Sequence, residues 1–170
     1  IKEFNRSDRK TIEREYRIIS KDKSIKWMHE HVTKVDSDIV EGFVEGIIQD
    51  ITVRKDAEFR SRLLKIAVDN AAESVAITDN KGNIEYVNKA FEHLSGYSRA
   101  ELLGENPRIL QSGQHPASFY EEMWETLLLK ETWKGTFINK RKDGEVYHEK
   151  ATISPVLDEE LKTTHYIAVK

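Results

Sequence analysis

The sequence predicts an α+β fold: a five-stranded antiparallel sheet with helices on one face, preceded by a three-stranded partial copy of that sheet and a connecting helix. Three observations predict it. Strand-like runs come in the order two, then helices, then three, which suits an antiparallel sheet with its helices gathered on one side. The apolar period changes from about 2 to about 3.6 and back along the chain. Finally, "IISKDKSIKWMHEHVTKV" (18–35) and "NKRKDGEVYHEKATISPV" (139–156) repeat one pattern, with Lys21-Asp22 opposite Lys142-Asp143 at an offset of 121 residues. A further match, Gly46 to Ile48 with Ala168 to Lys170, requires one gap and an offset of 122. The first copy therefore holds only the last third of the unit.

The elements follow in order. "TIEREYRIIS", "IKWMHEHVTKV" and "GFVEGIIQDIT" alternate or run apolar with β-branched residues, separated by turn residues at Lys21–Ser24 and Asp36–Asp38. They read as three antiparallel strands. Thr52 is an N-cap for a helix reaching about Asn70, where Phe59, Leu63, Ile66 and Ala67 recur at helical spacing. "ESVAITD", the turn "NKG" and "NIEYV" form a hairpin, and "NKAFEHLSG" a short helix capped by Asn88 and ended by Gly96. "SRAELLG" is one more helical turn. Pro116 to Lys130 reads as an amphipathic helix with Phe119, Met123, Trp124 and Leu127 on its inner face. The strands "TWKGTFINKRK", "EVYHEKATISPVLD" and "THYIAVK" complete the sheet. Ile1 and Lys170 read as cut ends, so the chain is expected to be a piece of a longer protein. The expected divisions are 1–52 for the partial copy, 53–66 for the connecting helix and 64–170 for the nearly complete domain.

Composition narrows the function. Of 170 residues 38% are hydrophobic and 34% charged, which describes a folded domain with a well-solvated surface. Lys and Arg number 27 against 30 Asp and Glu, for a net charge of −3, and no basic block offers a footprint for nucleic acid. The longest aliphatic run is Leu127 to Leu129, so no membrane contact is expected. The chain has no cysteine, which removes disulfides and thiolate chemistry and suits a reducing, cytoplasmic setting.

Leu64 to Lys170 resembles a PAS domain, on "ITDNKGNIEYVNKAFEHLSGYSRAELLGENP" at its start and "RKDGEVYHEKATISPV" near its end. Ile12 to Thr52 looks like the end of a preceding PAS domain, and Asp50-Ile51-Thr52 is similar to the Asp-Ile-Thr through which such domains pass into a signalling helix. The resemblance implies the PAS fold and a sensory module that passes a pocket signal through helical linkers to an output domain, a histidine kinase or a cyclic-dinucleotide enzyme, in the same chain. Phe59, Leu63 and Ile66 form a stripe at coiled-coil spacing on the helix from Thr52 to Asn70, so a homodimer through that helix is expected.

"GENPRILQSG" (104–113) resembles the flavin-contacting segment of the photosensory LOV subclass, Gly-x-Asn-Cys-Arg-Phe-Leu-Gln. Asn106, Arg108 and Gln111 match residues that contact the ribityl chain and phosphate. Pro107 stands where the adduct-forming cysteine would be, and proline has no nucleophile, so adduct photochemistry is excluded. LOV domains also keep paired asparagines ten residues apart; Asn139 matches the first, Glu149 replaces the second, and the ring-reading glutamine falls on Lys170. "TWKGTFINKRKDG" is closer to redox-sensing, FAD-binding PAS domains of the NifL type, through Trp133, Gly135, Asn139 and Arg141. The resemblance thus implies a flavin, FAD before FMN, held by Asn106, Arg108, Gln111, Trp133, Asn139 and Glu149. The bland reading of the same residues is a solvated Arg108, a core Trp133 and a strand-end Asn139 around no ligand, in a PAS domain that serves only as a dimerisation spacer.

Other features point nowhere stronger. His29 and His31 share a strand face and could bind a metal with Glu45, but no third ligand has a recognisable spacing, and no metal is expected. Haem would need an axial histidine in the 116–130 helix; His115 just before it is the nearest. His93 reads as a helix-surface histidine, and Glu121-Glu122 and Asp158-Glu159-Glu160 as solvated charge. With no catalytic constellation, the chain itself is not expected to be an enzyme.

Overall fold

The computed structural model describes residues 11–34 and 44–170. The expected turn at Asp36–Asp38 lies outside the described residues. Two compact units divide the chain, 1–64 and 65–170.

In the first unit, β1 (Thr11–Ile19), β2 (Ile25–Lys34) and β3 (Val44–Asp50) form a three-stranded antiparallel sheet in the order β1-β2-β3. The helix α1 (Thr52–Asp69) follows directly. Its start is fixed by side-chain chemistry. Asp50 Oδ1 accepts from the Thr52 amide (3.0 Å) and hydroxyl (2.6 Å), while Thr52 Oγ1 accepts from the Trp27 amide (2.9 Å). Those Thr52 bonds, with the Lys26 ammonium beside them, hold the Asp50 carboxyl at about 2. The sheet is thin, and Ile51 is its one buried apolar side chain among the described residues.

In the second unit, β4 (Val75–Asp79), β5 (Ile84–Val87), β6 (Trp133–Lys140), β7 (Val146–Leu157) and β8 (Thr163–Val169) form an antiparallel sheet of order β5-β4-β8-β7-β6. Between β5 and β6 run α2 (Lys89–Ser95), α3 (Arg99–Leu102), a 3₁₀ turn (Pro107–Leu110) and α4 (Ala117–Leu128). The 3₁₀ turn is the one element the sequence patterns did not separate from its loop. The predicted fold class is thus observed, five-stranded sheet, helices and three-stranded partial sheet alike.

The internal repeat is written into the hydrogen bonds. Ser20 N–H donates to Ser24 O at 2.8 Å in the β1–β2 turn, and Arg141 N–H to Glu145 O at 2.8 Å in the β6–β7 turn. These pairs lie 121 residues apart. Lys23 and Gly144 both take positive φ there, 66° and 95°, so the first copy places a lysine in a backbone region that glycine enters freely. The registers agree as well: His31 faces Ile47 as Thr152 faces Val169, and Val32 faces Gly46 as Ile153 faces Ala168.

Asn88 organises the start of the second unit. Fully buried, its side chain accepts from the amides of Val75 and Phe91 and donates to the carbonyls of Val68 and Glu73. One residue thereby caps α2 and ties the end of α1 to β4. Close by, Tyr86 donates to Asp69 Oδ1 at 2.6 Å and Arg99 pairs with the same oxygen at 3.1 Å. Burial, with the Asp69 carboxylate next to it, pushes the Tyr86 hydroxyl up to about 12.

Two apolar clusters fill the space between sheet and helices. One gathers Ala76, Ile84, Val87, Phe91, Leu102 and Leu110; the other Met123, Leu127, Trp133, Phe137, Ala151 and Tyr166. Of the expected inner face of α4, Met123 and Leu127 are buried and Phe119 packs against the second cluster, but Trp124 is 37% exposed. Its ring stands on edge to Tyr166 at 5.4 Å, at the margin of the core.

Candidate functional site: a cavity under the sheet

The stretch from Gly104 to Gly113 is a built loop. Ile84 N–H donates to Glu105 O and Gly104 N–H to Ile84 O, both at 2.8 Å, which fastens the loop to β5. Asn106 caps the 3₁₀ turn by accepting from Arg108 N–H (3.1 Å), and its Nδ2 donates to Gly82 O (3.0 Å). Pro107, with φ preset and no amide hydrogen to satisfy, opens the turn. Leu110 plugs the core at 1% exposure, and Gln111 forms an antiparallel bridge with Asn139 of β6.

This loop borders a cavity of about 380 Å³. Its floor is sheet: Ala76 and Thr78 of β4, Phe137 of β6, Ile153 of β7 and Tyr166 and Ala168 of β8, with Lys170 just past β8. Phe91 of α2 and Tyr120, Met123, Trp124 and Leu127 of α4 supply the opposite wall. Asn106, Pro107, Arg108 and Gln111 line it, as do Lys81 and Gly82 from the β4–β5 turn. The volume falls within the range of small-molecule sites, and an apolar wall with a few convergent polar groups is their usual chemistry.

The six residues picked out in the sequence divide into two sets. Asn106, Arg108 and Gln111 line the cavity, while Trp133, Asn139 and Glu149 stand behind its wall. Trp133 is 5% exposed and packs in an aromatic cluster, 5.5 Å from the Phe119 ring and 5.1 Å from the Phe137 ring. Asn139 donates through Nδ2 to Glu149 Oε1 at 2.6 Å. The same oxygen accepts from Lys170 Nζ at 2.9 Å, in an ion pair whose side chains are each 6% exposed. Glu149 Oε2 is buried with no partner among the described residues. Lys170 completes the arrangement by lining the cavity, its Nζ 5.3 Å from the Phe91 ring centre and 5.4 Å from that of Phe137.

Sequence reasoning noted Lys170 as a departure but missed its pairing with Glu149, and it missed Lys81, Gly82 and Tyr166. A signal existed for β8. Tyr166, Ala168 and Lys170 alternate at period two, so the buried Tyr166 fixes Lys170 on the inward face.

The other candidates disperse. His29 Nε2 is 2.9 Å from Glu13, His31 is 3.4 Å from Thr33, and Glu45 sits opposite Thr33. Among the described residues no group of three or more metal-capable side chains occurs. His115 accepts from Ile138 N–H through Nε2 at 2.9 Å and stacks on Phe119 at 3.8 Å, which commits it to joining the start of α4 to β6. His93 is exposed on α2. No helix among the described residues is long and apolar enough to cross a membrane.

The donor set fits a flavin. The Lys170 side chain at the cavity wall and the side-chain amides on the bordering loop suit a planar ring with a polar edge. Arg108 and Lys81 suit its phosphates.

The comparisons agree with this architecture. A nitrogen fixation regulatory protein of Klebsiella oxytoca is 44% identical over 103 residues, covering 61% of this chain and 21% of that protein. The chain therefore spans about a fifth of that relative's length. A crystal structure of a PAS domain from Colwellia psychrerythraea superposes with a TM-score of 0.60 at 21% identity, over 65% of this chain and 93% of that one. A Light-Oxygen-Voltage domain structure concerned with a flavin analogue superposes with a TM-score of 0.57 at 28% identity, over 63% and 82%. The sheet order, the loop-bordered cavity and a match to the PAS domain family across residues 72–169, more than half of the sequence, together establish that the chain belongs to the PAS domain family.

Proposed function

We propose that the second unit is a sensory module that binds a flavin, FAD before FMN, and passes its redox state through helical connectors such as α1 to an output domain of the same protein. The observation that carries this reading is the cavity itself, apolar along its walls, with Asn106, Arg108 and Gln111 on one border and Lys170 on another. Bound there, the flavin would supply reversible two-electron chemistry. The chain's own residues would do the rest. Arg108 and Lys81 would hold phosphate, Asn106 and Gln111 the polyol, and Phe91, Met123 and Leu127 would exclude water from the ring. Glu149 and Asn139 act from behind the wall by orienting Lys170. A histidine kinase or cyclic-dinucleotide enzyme is the output proposed, and catalysis belongs to it rather than to this chain, which works in the cytoplasm.

The test is the absorbance spectrum of the native chain, and of the chain reconstituted with FAD. The expected result is a bound flavin that dithionite bleaches reversibly and that blue light leaves without a thiol adduct, since Pro107 offers no sulfur. Arg108→Ala should weaken FAD binding about tenfold, or about 1.4 kcal/mol. Failure to take up flavin from cells or from excess FAD would reject the reading.

One observation favours a second, compatible role as a dimerisation module. Phe59, Leu63 and Ile66 lie at coiled-coil spacing on α1 and are 65%, 54% and 51% exposed. Sedimentation equilibrium should show a homodimer that Leu63→Glu converts to monomer; a wild-type monomer at high concentration would reject it.

A further inference from the structure

We propose that Lys170 sets the charge state that the cavity favours, so that the pocket selects the anionic reduced form of its ring ligand over the neutral oxidised form. The proposal rests on the flavin reading above. Its basis is the way the ion pair is layered. Lys170 lines the cavity and Glu149 does not, and the Lys170 Nζ lies beside the rings of the lining residues Phe91 and Phe137, so a ligand meets the positive partner first. The Lys170 ammonium has three N–H donors, and Glu149 Oε1 is the one hydrogen-bond acceptor that it meets among the described residues. Asn139 grips the same carboxylate oxygen, which keeps Glu149 in place whatever Lys170 does. The rings of Phe91 and Phe137 flank Nζ, hold it by cation–π attraction and keep water away, so its field is weakly screened. The remaining titratable groups lining the cavity are Lys81, Arg108, Tyr120 and Tyr166, two of them cations at the bordering loops, and none is an anion.

The chemistry balances simply. Two electrons from a reductant such as dithionite and one proton from solvent form one N–H bond on the oxidised ring, and the negative charge left on the ring faces Lys170. Uptake of one proton per two electrons means a tenfold change in the reduction equilibrium per pH unit, which is about 30 mV. Without the cation the reduced ring keeps its second proton to higher pH, and the slope is doubled over that wider range.

The experiment measures the midpoint potential of FAD bound to the whole chain against pH, for wild type, Lys170→Gln, Lys170→Arg and the double variant Glu149→Gln/Lys170→Gln. Wild type and Lys170→Arg should show the one-proton slope. Lys170→Gln should shift the reduction equilibrium about tenfold toward the oxidised form, about 30 mV lower, and steepen the slope. The double variant leaves no buried charge unpaired, so it gives the same reading if the single variant fails to fold. An unchanged potential and slope in a flavin-loaded variant lacking Lys170 would overturn this proposal alone. No flavin uptake by wild type would overturn it together with the flavin reading.

Discussion

Gly135→Ala should unfold or severely loosen the second unit. A Cβ at this position would lie 2.2 and 2.3 Å from two carbons of the Trp133 indole, closer than any real contact. The indole cannot simply turn aside, because it is 5% exposed and closed in by Phe119 and Phe137. Either β6 moves off β7, breaking the register that sets Gly135 opposite Ala151, or the indole leaves the core. Both routes cost about 3 to 5 kcal/mol, the scale of losing a large buried aromatic. For a unit of this size that lowers the melting temperature by more than about 10 °C. Calorimetry checks it, and Trp133→Leu in the Gly135→Ala background should recover part of the loss, since a smaller side chain frees the space. A Gly135→Ala protein as stable as wild type would sink the account.

The same pair of residues shows what can be read from a sequence and what cannot. Trp-x-Gly resembles a cofactor signature, and in three dimensions it is also a packing contact, with the indole of Trp133 lying over Gly135. A one-dimensional pattern records which residues recur together, and it does not tell a ligand contact from a neighbour contact. Period and turn chemistry were far more legible. Lys21-Asp22 and Lys142-Asp143 marked two turns with the same hydrogen bonds, because an aspartate accepting the amide two residues on is a local event, seen in Asp22 with Ser24 and in Asp143 with Glu145. Asn88 and Gly96 were readable as caps for the same reason. The loop from 104 to 113 was legible in its residues, and Asn106, Arg108 and Gln111 do line the cavity. The Glu149–Lys170 pair was not, because it joins the start of β7 to the residue just past β8, at opposite ends of a hairpin, and depends on a register that no local signal encodes. Trp124 illustrates a subtler loss. Helical spacing puts it near Met123 and Leu127, but the hydrophobic stripe is narrower than the arc these residues span, and Trp124 falls at its edge.

Glu149→Ala should cost about 3 to 5 kcal/mol, a large share of the total stability of an ordinary domain. The reason is the residue left behind. Without the carboxylate, the Lys170 ammonium, 6% exposed and flanked by two aromatic rings, keeps its desolvation cost and loses its counter-ion, and Asn139 Nδ2 loses its acceptor as well. Burying an unpaired charge outweighs the few methylene contacts the truncation removes. The pair itself need not be stabilising, because two charges withdrawn from water regain little more than they lost. Together the two statements predict the behaviour of a second variant. Glu149→Leu/Lys170→Met, which fills the same space without charge, should be within about 1 kcal/mol of wild type, or more stable. Urea unfolding of the two variants at neutral pH separates the possibilities. A double variant as damaged as Glu149→Ala would mean that the carboxylate supports the sheet through Asn139 and its register rather than by neutralising Lys170. A stable double variant that has lost its response to ligand would mean that the ion pair is kept at the cavity wall for signalling, at no gain in stability.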